Sequence, residues 1–200
     1  MPRRVGEFQT FGYDTLEEQL ARRDGGQGKW YEVAGGLVKG YTVMDVGAGN
    51  GYGMKIMKDA GALEVHGIDP SPAGPVEYGY GEDLRGYYDW ITCFDVIEHV
   101  EDTEAHPDRN DKFFLSHLVS HARVGVFLST PNWDVYGCGN PLHYREYTPD
   151  EMRDLLNGLD YDIWHYTAGD PDSPRRVESF EECVNFGVVI WKVRPSSVPL

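Results

Sequence analysis

Val43-Met44-Asp45-Val46-Gly47-Ala48-Gly49-Asn50-Gly51 joins a short apolar strand to a glycine loop. Gly47, Gly49 and Gly51 let the main chain turn sharply and approach a ligand with no Cβ in the way. A second acid, Asp69, closes the next apolar run, Val65-His66-Gly67-Ile68. At the tip of a second strand, a carboxylate can accept hydrogen bonds from both hydroxyls of a ribose. The two features together point to a cofactor that carries a nucleoside.

The glycine spacing narrows the choice of cofactor. A dinucleotide loop needs G-x-G-x-x-G to bring a pyrophosphate onto a helix N-terminus, and counting from Gly47 the third glycine position holds Tyr52; counting from Gly49 it holds Met54. What remains is acid-x-Gly-x-Gly-x-Gly with Asp45 in front, and a negative charge there repels phosphate but suits an ammonium or sulfonium group. The stretch resembles motif I of the class I S-adenosylmethionine (SAM) dependent methyltransferases.

The resemblance continues in the order which that family requires. Val65 to Pro70 is similar to its second strand with the ribose-binding acid, and Gly81-Glu82-Asp83-Leu84 to the adenine-side loop after the third. Asp89 to Val100 is similar to the fourth strand and its turn, and Val124 to Asn132 to the fifth strand and its loop. The match runs over about residues 40 to 193 and is closest to small bacterial or phage proteins of the type 11/23 methyltransferase domains. It implies an α/β, Rossmann-like, doubly wound sheet of seven mostly parallel strands whose last strand is antiparallel. The implied organisation is an N-terminal helical lid at 1–39 and a SAM-binding domain at 40–200. The implied cofactor site is Asp45, Gly47, Ala48, Gly49, Gly51, Asp69, Pro70, Asp83, Leu84, Phe94 and Asp95. Asp45 and Asp95 would then lie by the methionine moiety and complement its positive charges.

The implied chemistry is an in-line methyl transfer, in which alignment of nucleophile, methyl and sulfur removes much of the barrier. A hydroxyl acceptor must lose its proton as the bond forms, and histidine is the natural base near neutral pH. His99, in Ile97-Glu98-His99, and His143, in Asn140 to Tyr147, both follow C-terminal strand ends in this reading, and both are candidates. The second stretch resembles a histidine-bearing segment after strand five in bacterial small-molecule and glycan methyltransferases. The expectation is O-methylation of a small molecule or sugar, with SAM as cofactor and no metal. The loop after strand four reads Asp95-Val96-Ile97-Glu98, not the Asn/Asp-Pro-Pro-Tyr/Phe loop of amino-directed nucleic-acid methyltransferases.

Two alternatives use the same residues. Asp95, Glu98, His99 and His143 resemble the divalent-metal cluster of enzymes that methylate the 2′-hydroxyl at small-RNA 3′ ends, with Asp95 standing where that motif has glutamate. A protein that binds SAM only as a partner or scaffold would keep motif I and Asp69 unchanged.

Composition bounds these readings. Two hundred residues with 40% hydrophobic content suit one compact α/β domain. No apolar run is long enough to span a bilayer, and Met1-Pro2-Arg3-Arg4 leads into polar sequence, so a cytoplasmic protein without membrane contact is expected. Cys93, Cys138 and Cys183 are odd in number and scattered, which suits bystander thiols in a reducing compartment. Eighteen basic against thirty-three acidic residues give a net charge of −15. A polyanion such as nucleic acid is therefore not an expected partner, although Arg3, Arg4, Arg22 and Arg23 form a small basic group.

Helices are expected at Thr15–Arg23 and Lys29–Val38, with a break at Gly25-Gly26-Gln27-Gly28, and further helices at Tyr52–Ala60 and Asp111–His121. Thr148-Pro149-Asp150-Glu151 reads as a capped helix start. Strands at Tyr161–Thr167 and Cys183–Val193 complete the sheet. Trp133–Asn140 and the Asp170–Arg176 loop are candidate substrate walls.

Overall fold

The computed structural model describes residues 26–70, 72, 75–101, 110–137, 140, 142–194 and 196. The expected helix at Thr15–Arg23, the N-terminal arginines and Cys138 lie outside them. In chain order the elements are α1 (Gly26–Leu37), β1 (Thr42–Val46), α2 (Tyr52–Asp59), β2 (Glu64–Asp69), β3 (Glu77–Tyr78), β4 (Tyr88–Phe94), α3 (Asn110–His121), β5 (Ala122–Pro131), α4 (Trp133–Tyr136), α5 (Pro149–Leu155), β6 (Asp160–Tyr166), β7 (Arg175–Val177) and β8 (Asn185–Trp191).

They form one sheet in the order β3-β2-β1-β4-β5-β8-β6-β7. Strands β3 to β5 pair in parallel, and β8 runs antiparallel between β5 and β6. This is the doubly wound sheet that the motifs imply, with one strand more than expected. The extra strand, β7, pairs with β6 through Ile163, Trp164 and His165, inside what reads in sequence as a polar loop.

The two-residue period of the strands sorts the core into two layers. Met44, Val46, Ile91, Cys93, Val126 and Leu128 face Phe114, Leu115 and Leu118 of α3 and Met152 and Leu155 of α5. Val43, Trp90, Phe94, Phe127 and Val189 face Trp30, Tyr31 and Ala34 of α1 and Met57 of α2. Asp45 and Thr92 fall on the second face by the same alternation, paired across β1 and β4. α5 starts on the expected capping box: Glu151 N–H donates to Thr148 Oγ1 at 3.3 Å, and Thr148 N–H to Glu151 Oε2 at 2.9 Å.

The break expected at Gly25-Gly26-Gln27-Gly28 is corrected over its last three residues, which α1 already includes, while Gly25 lies outside the described residues. A Cβ at Gly28 would lie 2.7 Å from the Tyr52 hydroxyl, so this glycine serves close packing of α1 on α2. Among the described residues no helix is long and apolar enough to cross a membrane.

Candidate active site

Most of the candidate residues gather at the C-terminal ends of β1, β2, β4 and β5, where open parallel sheets bind ligands. The loop after β1 is held by main-chain bonds: Gly47 N–H and Ala48 N–H both donate to the Ile68 carbonyl, at 2.9 and 3.1 Å. Gly47 has φ +78, and a Cβ there would meet Val96 Cγ2 at 2.3 Å, so the turn requires glycine on both counts. Gly51, in the same left-handed region, caps α2. Asp69 is buried at the end of β2 and accepts from Gly49 N–H at 2.9 Å, which joins the two sequence signals in one contact.

Asp45, expected by the methionine moiety, ends up bonded within the fold just before the glycine loop. Its carboxylate is fully buried on the α1 side of the sheet, where it accepts from Tyr31 Oη at 2.9 and 3.2 Å and from Thr92 Oγ1 at 2.7 Å. Its pKa is raised to about 7, chiefly by burial, with the hydroxyl bonds from Thr92 and Tyr31 opposing the rise and the nearby Asp69 adding to it.

The remaining cofactor candidates divide into rim and core. Ala48 is buried under the loop, and Pro70 is half-buried just after β2. Asp83 is exposed, and its carboxylate accepts from Tyr80 N–H at 3.0 Å, closing the turn at Gly81–Asp83. Leu84 belongs to the α3-side core. Phe94 ends β4 in edge contact with Tyr31 and Phe127, with ring centroids 4.8 and 4.9 Å apart.

Asp95 follows β4 with φ 54, a strained conformation for a non-glycine residue. Ser129 of β5 holds it there, donating from Oγ to Asp95 Oδ1 at 2.7 Å and accepting from Asp95 N–H at 3.2 Å. Glu98 is buried in the next turn and accepts from Thr130 Oγ1 at 3.1 Å. Burial, and after it the Asp95 charge, raise its pKa well above the carboxylate range.

The chain returns over this turn at 142–147. Tyr144 and Arg145 N–H donate to the Glu98 carbonyl at 2.8 and 3.2 Å, which brings His143 beside His99, with ring centroids 4.8 Å apart. Their hydrogen bonds differ. His99 Nδ1 lies 3.0 Å from the Leu142 carbonyl, which only accepts, so Nδ1 carries the proton and Nε2 keeps its lone pair. The His99 ring has an exposed edge, yet desolvation by the surrounding protein lowers its pKa below the usual histidine value. His143 is engaged at both nitrogens: Nδ1–H donates to Glu146 Oε1 at 2.7 Å, and Asn140 Nδ2 donates to Nε2 at 2.9 Å. The Asn140 orientation follows from its Oδ1, which accepts from Leu142 N–H at 3.0 Å.

Sequence reasoning missed Tyr31, Thr92, Ser129, Asn140 and Glu146. Of these only Thr92 left a usable trace, a hydroxyl at the centre of the otherwise apolar run of β4.

Comparison with known proteins agrees with this geometry. Residues 14–168 match the family described as "Methyltransferase domain". The chain therefore belongs to that family, and its fold is that of the class I SAM-dependent methyltransferases. It is 32% identical over 94 residues to a ubiquinone biosynthesis O-methyltransferase of Shewanella sp. (strain ANA-3), covering 37% of this chain and 39% of that protein. It is 44% identical over 125 residues to a tRNA U34 carboxymethyltransferase of Marinobacter nauticus, covering 62% of this chain and 36% of that protein. The chain thus spans well under two thirds of the length of either relative. Among solved structures, a possible histamine N-methyltransferase from Thermotoga maritima superposes with TM-score 0.62 at 15% identity, covering 88% of this chain and 93% of that one. The magnesium protoporphyrin IX methyltransferase of Synechocystis with bound SAM gives 0.55 at 20% identity, covering 92% and 86%.

The residues present fit such a cofactor. The loop before α2 is bare of side chains where Gly47, Gly49 and Gly51 turn left-handed, and a buried carboxylate already bonded to that loop stands at the strand tip where a ribose is recognised.

Proposed function

We propose that this chain binds SAM and methylates a hydroxyl oxygen of a small molecule or sugar, with His99 as the base. The observation that carries the reading is the pairing of Asp69 with the Gly49 amide beneath a left-handed glycine loop. When bound, SAM supplies a methyl group made electrophilic by its sulfonium. Asp69 would hold the ribose, and the Gly47–Gly51 backbone would receive the cofactor beside it. Ser129 keeps the Asp95 carboxylate at the rim of the same site, where a negative charge complements a sulfonium.

His99 is favoured over His143 as the base because it keeps an unprotonated Nε2, whereas both nitrogens of His143 have partners. In this reading His143 is a strut. Glu146 and Asn140 fix its ring, and its ring fixes that of His99. The −15 charge counts against a tRNA acceptor, although some relatives are named for one.

Calorimetry with SAM and S-adenosylhomocysteine, followed by a SAM-consumption assay over catechols, glycosides and unmodified tRNA, tests the reading. Binding of both ligands and turnover on a hydroxyl compound are expected. Failure to bind either ligand overturns it, and turnover on tRNA alone overturns the acceptor. Binding without turnover on any acceptor returns the scaffold alternative.

A second reading, a divalent metal in the site, is favoured by a specific observation. Ligand atoms of Glu98, His99 and His143 lie within 4.8 Å of one another, and Glu146 Oε2 is buried with no hydrogen-bond partner among the described residues. Oxygen and imidazole donors suit magnesium or manganese. Asp95, the fourth member of the expected cluster, turns to Ser129 and stands outside this group. Binding through His143 would also displace Asn140 or Glu146, which ranks this reading second. Full activity in EDTA and no heat on manganese titration are the expected results; loss of activity in EDTA, restored by manganese, would reverse the ranking.

A further inference from the structure

Tyr31 of α1 reaches under the glycine loop of the candidate site. It is buried, and its hydroxyl donates to Asp45, two residues before the first glycine of the loop. Its ring lies against Gly53, two residues after the last glycine, so closely that a Cβ on Gly53 would stand 2.0 Å from ring carbons. The same ring meets Phe94 edge-on, with centroids 4.8 Å apart, at the end of β4 and beside Asp95. One turn earlier on α1, Gln27 Nε2 reaches the Phe94 carbonyl at 3.4 Å. A single side chain thus touches the entry to the glycine loop, the exit from it and the neighbouring strand end.

Core filling alone does not explain this arrangement. A buried carboxylate between two hydroxyl donors generally contributes no more stability than apolar side chains of the same volume, and often less. The polar trio of Tyr31, Asp45 and Thr92 does fix direction, because each hydrogen bond has one geometry whereas apolar packing tolerates several.

We infer that Tyr31 is a positioning residue of the cofactor site, setting the glycine loop through Asp45 and tying α1 to both ends of that loop. This rests on the SAM reading above and deepens it. Docking of α1 and filling of the cofactor site are then coupled, although no atom of Tyr31 needs to touch the cofactor.

The ionised Asp45 accepts from both hydroxyls at once; a protonated Asp45 has to turn one oxygen into a donor, and the trio rearranges. The titratable groups around the trio are Tyr31 from α1, Asp69 from β2, Cys93 from β4 and Asp95 from the turn after it. Asp69 raises the Asp45 pKa, and the two hydroxyls lower it.

The test is SAM affinity by calorimetry between pH 5.5 and 8.5 on the intact chain, with circular dichroism melts as a folding control. Wild-type affinity is expected to strengthen as pH rises through about 7, the Asp45 titration. Tyr31→Phe keeps the ring contacts but removes a donor to the ionised carboxylate. Its affinity at pH 8 is expected to fall by about tenfold, the scale of one hydrogen bond to a charged group, with the midpoint moved to higher pH. Asp45→Asn is expected to flatten the profile, and it decides the matter if Tyr31→Phe does not fold. Unchanged affinity in a folded Tyr31→Phe, or an undiminished pH dependence in Asp45→Asn, overturns the inference. Absence of SAM binding by the wild-type chain overturns the underlying SAM reading instead.

Discussion

Asp69→Ala is expected to weaken SAM binding by about a hundredfold. A hydrogen bond to a charged group contributes about 1.5 to 3 kcal/mol, and each 1.4 kcal/mol is tenfold in affinity. The substitution removes the ribose acceptor and also the partner of Gly49 N–H, so the loop loses a tether in the same step. Asp69→Asn retains a neutral acceptor for Gly49 and is expected to lose less. The melting shift with ligand gives a second readout. At a ligand concentration about a hundred times the wild-type Kd, binding stabilises the native state by about 2.7 kcal/mol, whereas a protein bound a hundredfold more weakly gains only about 0.4 kcal/mol. The apo melt separates this effect from a loss of stability caused by the missing tether. A SAM-dependent shift as large in Asp69→Ala as in wild type would remove the cofactor reading at its root.

The residues that define this site were legible in the sequence where their roles follow from backbone geometry. Gly47 needs a left-handed turn and space beside Val96, and a glycine triplet after an apolar strand announces that need directly. The position of Asp69 was legible because strand ends recur at predictable places, and the acid that closes the second apolar run does end β2, bonded to Gly49 N–H. Asp45 shows where such reasoning stops. Its place before the glycines suggests a ligand contact, but alternation along β1 sends the even-numbered Met44 and Val46 to the α3 side and Asp45 to the α1 side with Val43. The sequence does hold one clue, Thr92 at the centre of the apolar run of β4, in register with Asp45. Tyr31 has no such mark, because its partnership with a residue fourteen positions on depends on how α1 crosses the sheet.

The two histidines show a different limit. Both were visible as candidates, and their proximity follows from bonds that sequence patterns do not report: the Tyr144 and Arg145 amides closing on the Glu98 carbonyl. Which of the two keeps a usable lone pair depends on Leu142, Asn140 and Glu146, each of which is ordinary in sequence. β7 was missed for a related reason. Arg175 and Arg176 belong to a polar stretch with no apolar alternation, and they become a strand because the edge of β6 offers unpaired main-chain groups.

His99→Gln is the variant that separates the two histidines by chemistry. If His99 takes the acceptor proton, its removal is expected to lower kcat by about a hundredfold to ten-thousandfold, the usual range for a general base, with SAM affinity unchanged. The pH dependence gives the sign. A base works deprotonated, and partial burial holds the His99 pKa below the usual histidine value. Wild-type kcat should therefore be on its plateau at pH 7.5 and fall as pH drops through the acid side of 6.5; the glutamine variant should lose that limb. His143→Gln removes the strut but not the base, so it is expected to cost less and to keep the limb, since the Leu142 carbonyl still orients His99. Should His143→Gln abolish the limb while His99→Gln retains it, the base is His143, and its Asn140 contact must open when the acceptor enters.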